Sequence, residues 1–256
     1  MNDLRGQVAM VAGASGGIGS AVALLLAECG ADIALSCHAN AARAGEVADS
    51  IVAMGRRVRL DTLDATDAGA ARDWVAGTIA AFGKVDVLAN CCGWSGAFQL
   101  FKDQDPAAWS RIIAIELTAC FNLSHAVLHH MVARRRGRII TLGSDSSKTG
   151  LSGAAVTAAA RGGVNAFSKS LARELGRYGV TVNVVCPGPT QTPVLDMLRA
   201  QGETGEKLVQ GLIAAIPMKR VGTPREVAAA VAFLASEEGG FITGQAISVS
   251  GGLSMV

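Results

Sequence analysis

Charge and aromatic rings are scarce in this chain: Asp, Glu, Lys and Arg make up 17% of it, and Phe, Trp and Tyr only 4%. With half the residues apolar, 31 glycines and 256 residues in all, the profile suits one compact domain with both sheet faces covered and many tight turns. The formal net charge of +2 excludes the strong basic field of a nucleic-acid binder and any pull toward an anionic membrane. The one basic cluster, Arg134 to Arg136, falls at an expected helix end, where the helix dipole accounts for it. None of the six cysteines pairs with another at metal-ligand spacing, so no metal is expected, and Cys91 beside Cys92 reads as strand-end packing rather than a redox pair. No uncharged run reaches the roughly 18 apolar residues of a membrane span. The start, MNDLRGQVAMVAG, lacks the basic and apolar regions of a signal peptide. The expected setting is a reduced cytoplasm.

What is present is an alternation of short apolar runs with longer helical patterns. Val8–Ala12, Ile33–Ser36, Val58–Leu63, Val87–Ala89, Arg138–Leu142, Val180–Val185 and Ala246–Val249 read as seven strands. Segments of helical period, such as Ile18–Cys29 and Trp109–Val132, lie between them. Strands alternating with helices imply right-handed crossovers, hence a doubly wound α/β domain on a mainly parallel sheet. Thr223-Pro224-Arg225-Glu226 has capping-box spacing with proline at the first helical position, and Asp105-Pro106 offers a similar start. The stretch 188–219 reads as an irregular insertion at the carboxyl edge of the sheet, the place of a substrate lid.

The run VAMVAGASGGIGSAVALLL sets glycines between a strand and a helix. Gly13, Gly17 and Gly19 allow a tight turn and bring backbone N–H groups close to a pyrophosphate, with the next helix aimed at the same phosphates. AGASGGIG at 12–19 resembles the glycine motif of the short-chain dehydrogenase/reductase family, and the likeness extends over nearly the whole chain. It implies a Rossmann fold of seven strands, with 1–93 as the nucleotide-binding half and 94–256 as the catalytic half. Ser15 and Ile18 fall inside the glycine motif. Asp64 matches the family's acidic residue beside the adenine. ANCCG at 89–93, with Asn90 and Gly93, is similar to its Asn-Asn-Ala-Gly stretch. CPGPTQT at 186–192 matches the Pro-Gly segment, with Pro187, Gly188 and a Thr192 that would bind the nicotinamide carboxamide. The resemblance also implies a homotetramer built on two helices and the last strand.

Cofactor choice turns on the end of the second strand, where an acid would bind the ribose diol of NAD. Here IALSCHANAARA places Cys37 at that point, and Ser36, His38 and Arg43 are candidates to surround a 2′-phosphate. NADP(H) is therefore favoured over NAD(H), although Gly16 stands where many NADP-using relatives carry a basic residue.

In this family a serine polarises a carbonyl and a tyrosine moves a proton. A lysine four residues later lowers the tyrosine's pKa and holds the ribose, and an upstream asparagine assists. RIITLGSDSSKTG places Ser144 at the serine position, but the tyrosine, lysine and asparagine positions hold Thr157, Arg161 and Glu116. The chain's single tyrosine, Tyr178, stands just before the sixth strand and is no shifted substitute. Threonine's hydroxyl is a far weaker acid than a phenol, and an arginine that stays protonated cannot pass a proton along. Glu116 and Arg161 read as complementary changes, a carboxylate facing a guanidinium in a bidentate pair.

Three readings follow. In the first, hydride transfer persists on a carbonyl or hydroxyl group, with Ser144 on the oxygen and Asp145, Glu116 or a water moving the proton. In the second, the pocket hosts redox-neutral chemistry such as elimination, isomerisation or bond cleavage, and Arg161 stabilises an oxyanion. In the third, the chain is a non-catalytic partner subunit. The retained glycine loop, Asp64 and Thr192 favour the first. NVVCPGPTQTPVL and GFITGQAISVSGGLSM look like short-chain dehydrogenases of alicyclic hydroxyacyl-CoA thioesters. That likeness points to an acyl-CoA or a cyclic ketone or alcohol, with Lys148, Arg199 or Lys207 meeting carrier phosphates. His125 and His129, four apart, read as surface or interface residues.

Overall fold

In the computed structural model, which describes residues 2–93 and 98–256, all seven expected strands form. They are β1 (Val8–Ala12), β2 (Asp32–Cys37), β3 (Val58–Thr62), β4 (Val87–Asn90), β5 (Gly137–Leu142), β6 (Val180–Pro187) and β7 (Ala246–Val249). They join one sheet in the order β3-β2-β1-β4-β5-β6-β7, and every pairing is parallel. A parallel sheet needs cover on both faces, and the strands' alternating side chains supply two cores. Val11, Leu35 and Ile140 pack under α1 (Gly17–Glu28), α2 (Ala41–Ala53) and α10 (Pro224–Ala235). Met10, Leu88 and Ile139 pack under α3 (Ala68–Phe82), α5 (Ala119–Arg134) and α7 (Ala155–Leu175).

The order reverses direction between β1 and β4, and a crevice opens there at the carboxyl ends of the strands. The Thr223 capping box is present, with Thr223 and Glu226 each bonding the other's backbone N–H. Two expectations need correction. The Trp109–Val132 pattern is not one regular helix: α4 (Trp109–Ile113) runs into a π-helical turn, Ala114–Thr118, before α5 begins. Nor is 188–219 irregular, since it folds as α8 (Pro193–Arg199) and α9 (Glu203–Ala215) around a small core of Leu195, Leu198 and Val209. A short α6 (Ser146–Thr149) also follows β5.

The helical stretch Pro106–Arg134 is long and apolar enough to cross a membrane by length and composition alone. It carries Arg111 and Glu116, however, and buries Leu123, Val127 and Met131 in the core under the sheet. Specific partners rather than the helix dipole occupy the arginine cluster. Arg134 bonds the buried Asp86 at 2.8 Å, Arg136 pairs with Glu237, and Arg135 lies over the Tyr178 ring.

Candidate functional site

The switch-point crevice is a cleft of about 520 Å³ that continues into a second cavity of about 380 Å³. The turn after β1 forms its floor. Gly13 and Ala14 donate their N–H groups to the Ser36 carbonyl, which leaves Ser15, Gly17, Ile18 and Gly19 along the wall at the start of α1. A side chain on Gly19 would drive into the Gly13 carbonyl, so the tight turn requires glycine there. This backbone cradle at a helix N-terminus suits a pyrophosphate.

The smaller cavity suits an adenosine. His38 and Asp64 line it, both exposed, with His38 Nε2 at 3.9 Å from Asp64 Oδ2. Asp64 accepts the Thr66 hydroxyl at 2.6 Å and its N–H at 2.9 Å, and these bonds hold its carboxyl below the usual range. Arg111, from α4, lines the same cavity. Sequence reasoning missed it, because nothing in the sequence shows that α4 turns this face toward β3. Ser36 lines the cavity too, but its side chain is buried in the sheet. The groups that reach outward at this end are His38 and Arg43, the latter beside Asn40 in the larger cleft. Arg43 has no side-chain partner among the described residues, which leaves its guanidinium for a ligand. Thus a dinucleotide fits this cradle: glycine floor, helix N-terminus, acidic residue by the adenine end and a free cation beside it.

Several expected residues shape the crevice through their backbones. Asn90 is buried and its Oδ1 accepts the Cys92 N–H at 3.0 Å, which fixes the turn out of β4. The Pro187 carbonyl accepts the Asp145 N–H, and Gly188 donates to the Val249 carbonyl, each at 3.0 Å. Thr192 stands at the N-cap position of α8 without a side-chain cap bond, and its side chain lies against Gly17, so α8 begins beside the glycine loop. Desolvation pushes the Cys92 thiol up to about 12 and raises Cys91 as well, so neither is a ready thiolate.

Ser144, Glu116, Thr157 and Arg161 share the larger cleft. Ser144 follows β5, and its Oγ lies 2.8 Å from Ser146 Oγ and accepts the Ser146 N–H at 3.2 Å. Glu116 sits in the π-helical turn, a distortion that often marks a functional site because it swings one residue out of register. Thr157 and Arg161 lie one turn apart on α7. Thr157 Oγ1 donates to Glu116 Oε1 at 3.3 Å, and Arg161 Nε donates to Glu116 Oε2 at 2.8 Å. The side chains of Glu116 and Arg161 are 1% and 7% exposed, so the ion pair is buried.

The expected bidentate fork is not formed. Arg161 instead sends Nη1 to the Leu142 carbonyl at the end of β5 and Nη2 to the Cys92 carbonyl past β4, 3.0 Å away. Those strand ends leave carbonyls without sheet partners, and the guanidinium supplies the donors. The arrangement also accounts for Gly93, where an added Cβ would collide with Arg161 Nη2. Nε, Nη1 and Nη2 each donate one N–H to a protein acceptor, three of the guanidinium's five donors, while Arg161 also lines the cleft. Nothing in the residue pattern marks this clamp, because both carbonyl partners belong to backbone.

Asp145 is 3% exposed, its Oδ1 accepts from Ser248 Oγ at 2.8 Å, and its Oδ2 has no hydrogen-bond partner among the described residues. Lys148 does not face the cleft. Its Nζ is spent on the Ala246 carbonyl at 2.7 Å, Ser248 Oγ at 2.9 Å and the Val256 carbonyl at 2.8 Å. Arg199 bonds Gln191 and lies near Asp196 and Glu206, while Lys207 pairs with Glu203 at 2.6 Å on the surface. None of these three cations lines the cleft.

Known proteins share both the sequence and this geometry. A family model described as enoyl-(acyl carrier protein) reductase matches residues 13–254. The 3-oxoacyl-(acyl-carrier-protein) reductase FabG of Escherichia coli strain K12 is 40% identical over 255 residues, covering 99% of this chain and 100% of that protein. Nodulation protein G of Rhizobium sp. strain N33 is 37% identical, with all of both chains covered. The solved structure of a mutant Serratia marcescens short-chain dehydrogenase/reductase superposes with a TM-score of 0.88. It is 33% identical, with 98% of this chain and 99% of that one covered. The chain therefore belongs to the short-chain dehydrogenase/reductase family of oxidoreductases.

Proposed function

We propose that this protein is an NADP(H)-linked oxidoreductase of carbonyl and hydroxyl groups whose proton route runs through Thr157 and Glu116. The observation that carries this reading is the chain of bonds Thr157 Oγ1–Glu116–Arg161, opening on the same cleft as Ser144 and the glycine loop. The centre has no tyrosine and no lysine, so its proton transfer must follow another path from the one the family resemblance implies.

When bound, NADP(H) supplies or accepts the hydride. Ser144 holds the substrate oxygen by a hydrogen bond and is itself oriented by Ser146. In the oxidative direction the substrate hydroxyl passes its proton to Thr157 Oγ1 as Thr157 passes its own to Glu116 Oε1. No free alkoxide forms on threonine, because the two transfers are concerted through one hydroxyl. In the reductive direction the same two transfers run backward. Arg161 fixes the Glu116 carboxylate and the two strand ends and touches no reacting atom.

Preference for NADP(H) is supported by the buried Cys37 at the end of β2 and by the unpaired Arg43. Phe121, 39% exposed, packs at a tilt against Phe167 across α5 and α7, which supports a homotetramer joined through those helices. The name of the Escherichia coli relative, a reductase of a carrier-bound oxoacyl group, supports the carbonyl chemistry. Likeness to that relative over its whole length also supports a cytoplasmic setting. Titration of the purified protein with NADPH and NADH, followed by fluorescence, tests the reading. Tighter NADPH binding is expected, and binding of neither nucleotide would remove the oxidoreductase assignment.

A further inference from the structure

Two arginine side chains at the nucleotide end of the crevice have no hydrogen-bond or ion-pair partner among the described residues. They stand in different places. Arg43 lines the larger cleft and not the smaller cavity, and Arg111 lines the smaller cavity and not the larger cleft. Arg111, Ile115 and Ala119 follow at four-residue spacing through α4, the π-helical turn and the start of α5, and all three line that cavity. Ala119 is buried, Ile115 half-buried and Arg111 exposed, so this face runs from an apolar floor to a charged rim. Leu63 and Ala65 after β3 and Gly93 after β4 stand on the other walls.

Asp64 lines the same cavity, and its Oδ1 takes both Thr66 bonds. Its Oδ2 takes neither and has His38 Nε2 3.9 Å away. The Thr66 bonds hold the carboxyl below its usual range, so it is ionised and only accepts, whereas a guanidinium only donates. Adenine matches that pair: one edge sets an amino donor beside a ring-nitrogen acceptor, and its face attracts a cation. A phosphate would fit poorly, because it would desolvate against Leu63, Ile115 and Ala119 and face the charge of Asp64. The two unpaired arginines therefore meet different parts of a nucleotide.

Building on the nucleotide-binding reading above, we infer that Arg111 is a base-recognition residue whose guanidinium closes over the adenine while Asp64 accepts from the amino group. Arg111 then serves NADPH and NADH alike and takes no part in the choice between them.

The test is a set of binding measurements on the full-length wild type, Arg111→Ala and Arg111→Lys. Fluorescence titration reads NADPH and NADH, and ligand-observed NMR reads AMP and nicotinamide mononucleotide, the two halves of the dinucleotide. Arg111→Ala is expected to weaken NADPH, NADH and AMP by one common factor of at least about fivefold. Nicotinamide mononucleotide should be unaffected. Arg111→Lys should stay at least about threefold weaker than the wild type, because an ammonium lacks the planar fork that covers a base. Thermal melting checks folding and should not move, since the side chain is exposed and unbonded. A loss confined to NADPH, AMP binding unchanged in Arg111→Ala, or wild-type affinity in Arg111→Lys would each overturn the inference. AMP binding that needs Arg111, without binding of either dinucleotide, leaves the base assignment standing and removes the redox reading. Dinucleotide binding indifferent to Arg111→Ala does the reverse, and a wild type that binds neither AMP nor a dinucleotide overturns both.

Discussion

Removal of one charge from the buried Glu116–Arg161 pair should cost more than removal of both. In Arg161→Met the 1%-exposed Glu116 carboxylate loses the guanidinium, and the Leu142 and Cys92 carbonyls lose their donor. Loss of one partner of a buried pair costs about 3–5 kcal/mol. Glu116→Gln keeps the shape and the Thr157 contact but strands the guanidinium with two neutral carbonyls, so its cost should lie near the low end, about 3 kcal/mol. If the two losses were independent, the double variant would lose about 6–8 kcal/mol. A shared charge penalty instead predicts a double variant no worse than the milder single variant, about 3 kcal/mol, and so a coupling of at least about 3 kcal/mol. Urea unfolding followed by far-UV circular dichroism, at one protein concentration because subunit association shifts apparent stability, gives all four corners of the cycle. A double variant that loses the sum of the two single losses would refute the argument.

Three further outcomes follow from the same contacts. Gly93→Ala should lose at least about 1–3 kcal/mol, through its collision with Arg161 and through a φ of +153° that a side chain rarely adopts, and an Arg161→Ala background should relieve only the collision, which thermal melts of the four proteins check. His130 Nε2 accepts the Val85 N–H, a bond open only to the neutral ring, and burial followed by the nearby Arg134 charge lowers its pKa. A depressed folded-state value means that stability present above about pH 6.5 is lost as pH falls toward the folded pKa. Denaturation midpoints should therefore drop over that interval in the wild type and drop less in His130→Gln; parallel profiles would contradict it. Arg43→Ala should weaken NADPH about tenfold, about 1.4 kcal/mol, and leave NADH unchanged, whereas equal loss for both would place Arg43 away from the 2′-phosphate.

The strands were legible because most are short apolar runs bounded by polar or glycine-rich turns, with the edge strand β3 (VRLDT) alternating instead, and seven such segments separated by helical periods leave little besides a parallel doubly wound sheet. The Thr223 capping box was legible for a similar reason, since both of its partners lie within one turn. The lid helices were hidden because Gly202 separates two short segments whose apolar residues pack mainly on one another, around Leu195, Leu198 and Val209. Periodicity over such short spans is weak. At the site, the pairing of Glu116 with Arg161 could be anticipated from charge, but not the clamp on Leu142 and Cys92, because backbone carbonyls carry no sequence signature. The fate of Lys148 was hidden likewise, as two of its three acceptors are carbonyls of residues 98 and 108 positions away.

The measurement that bears most directly on the proton route is single-turnover oxidation of NADPH with an uncharged cyclic ketone, comparing the wild type with Glu116→Gln at saturating nucleotide. The account predicts that the wild type consumes NADPH and that the variant is slowed about hundredfold or more, the contribution of a lost acid–base group. Equal rates of the wild type and Glu116→Gln would contradict the Thr157–Glu116 route.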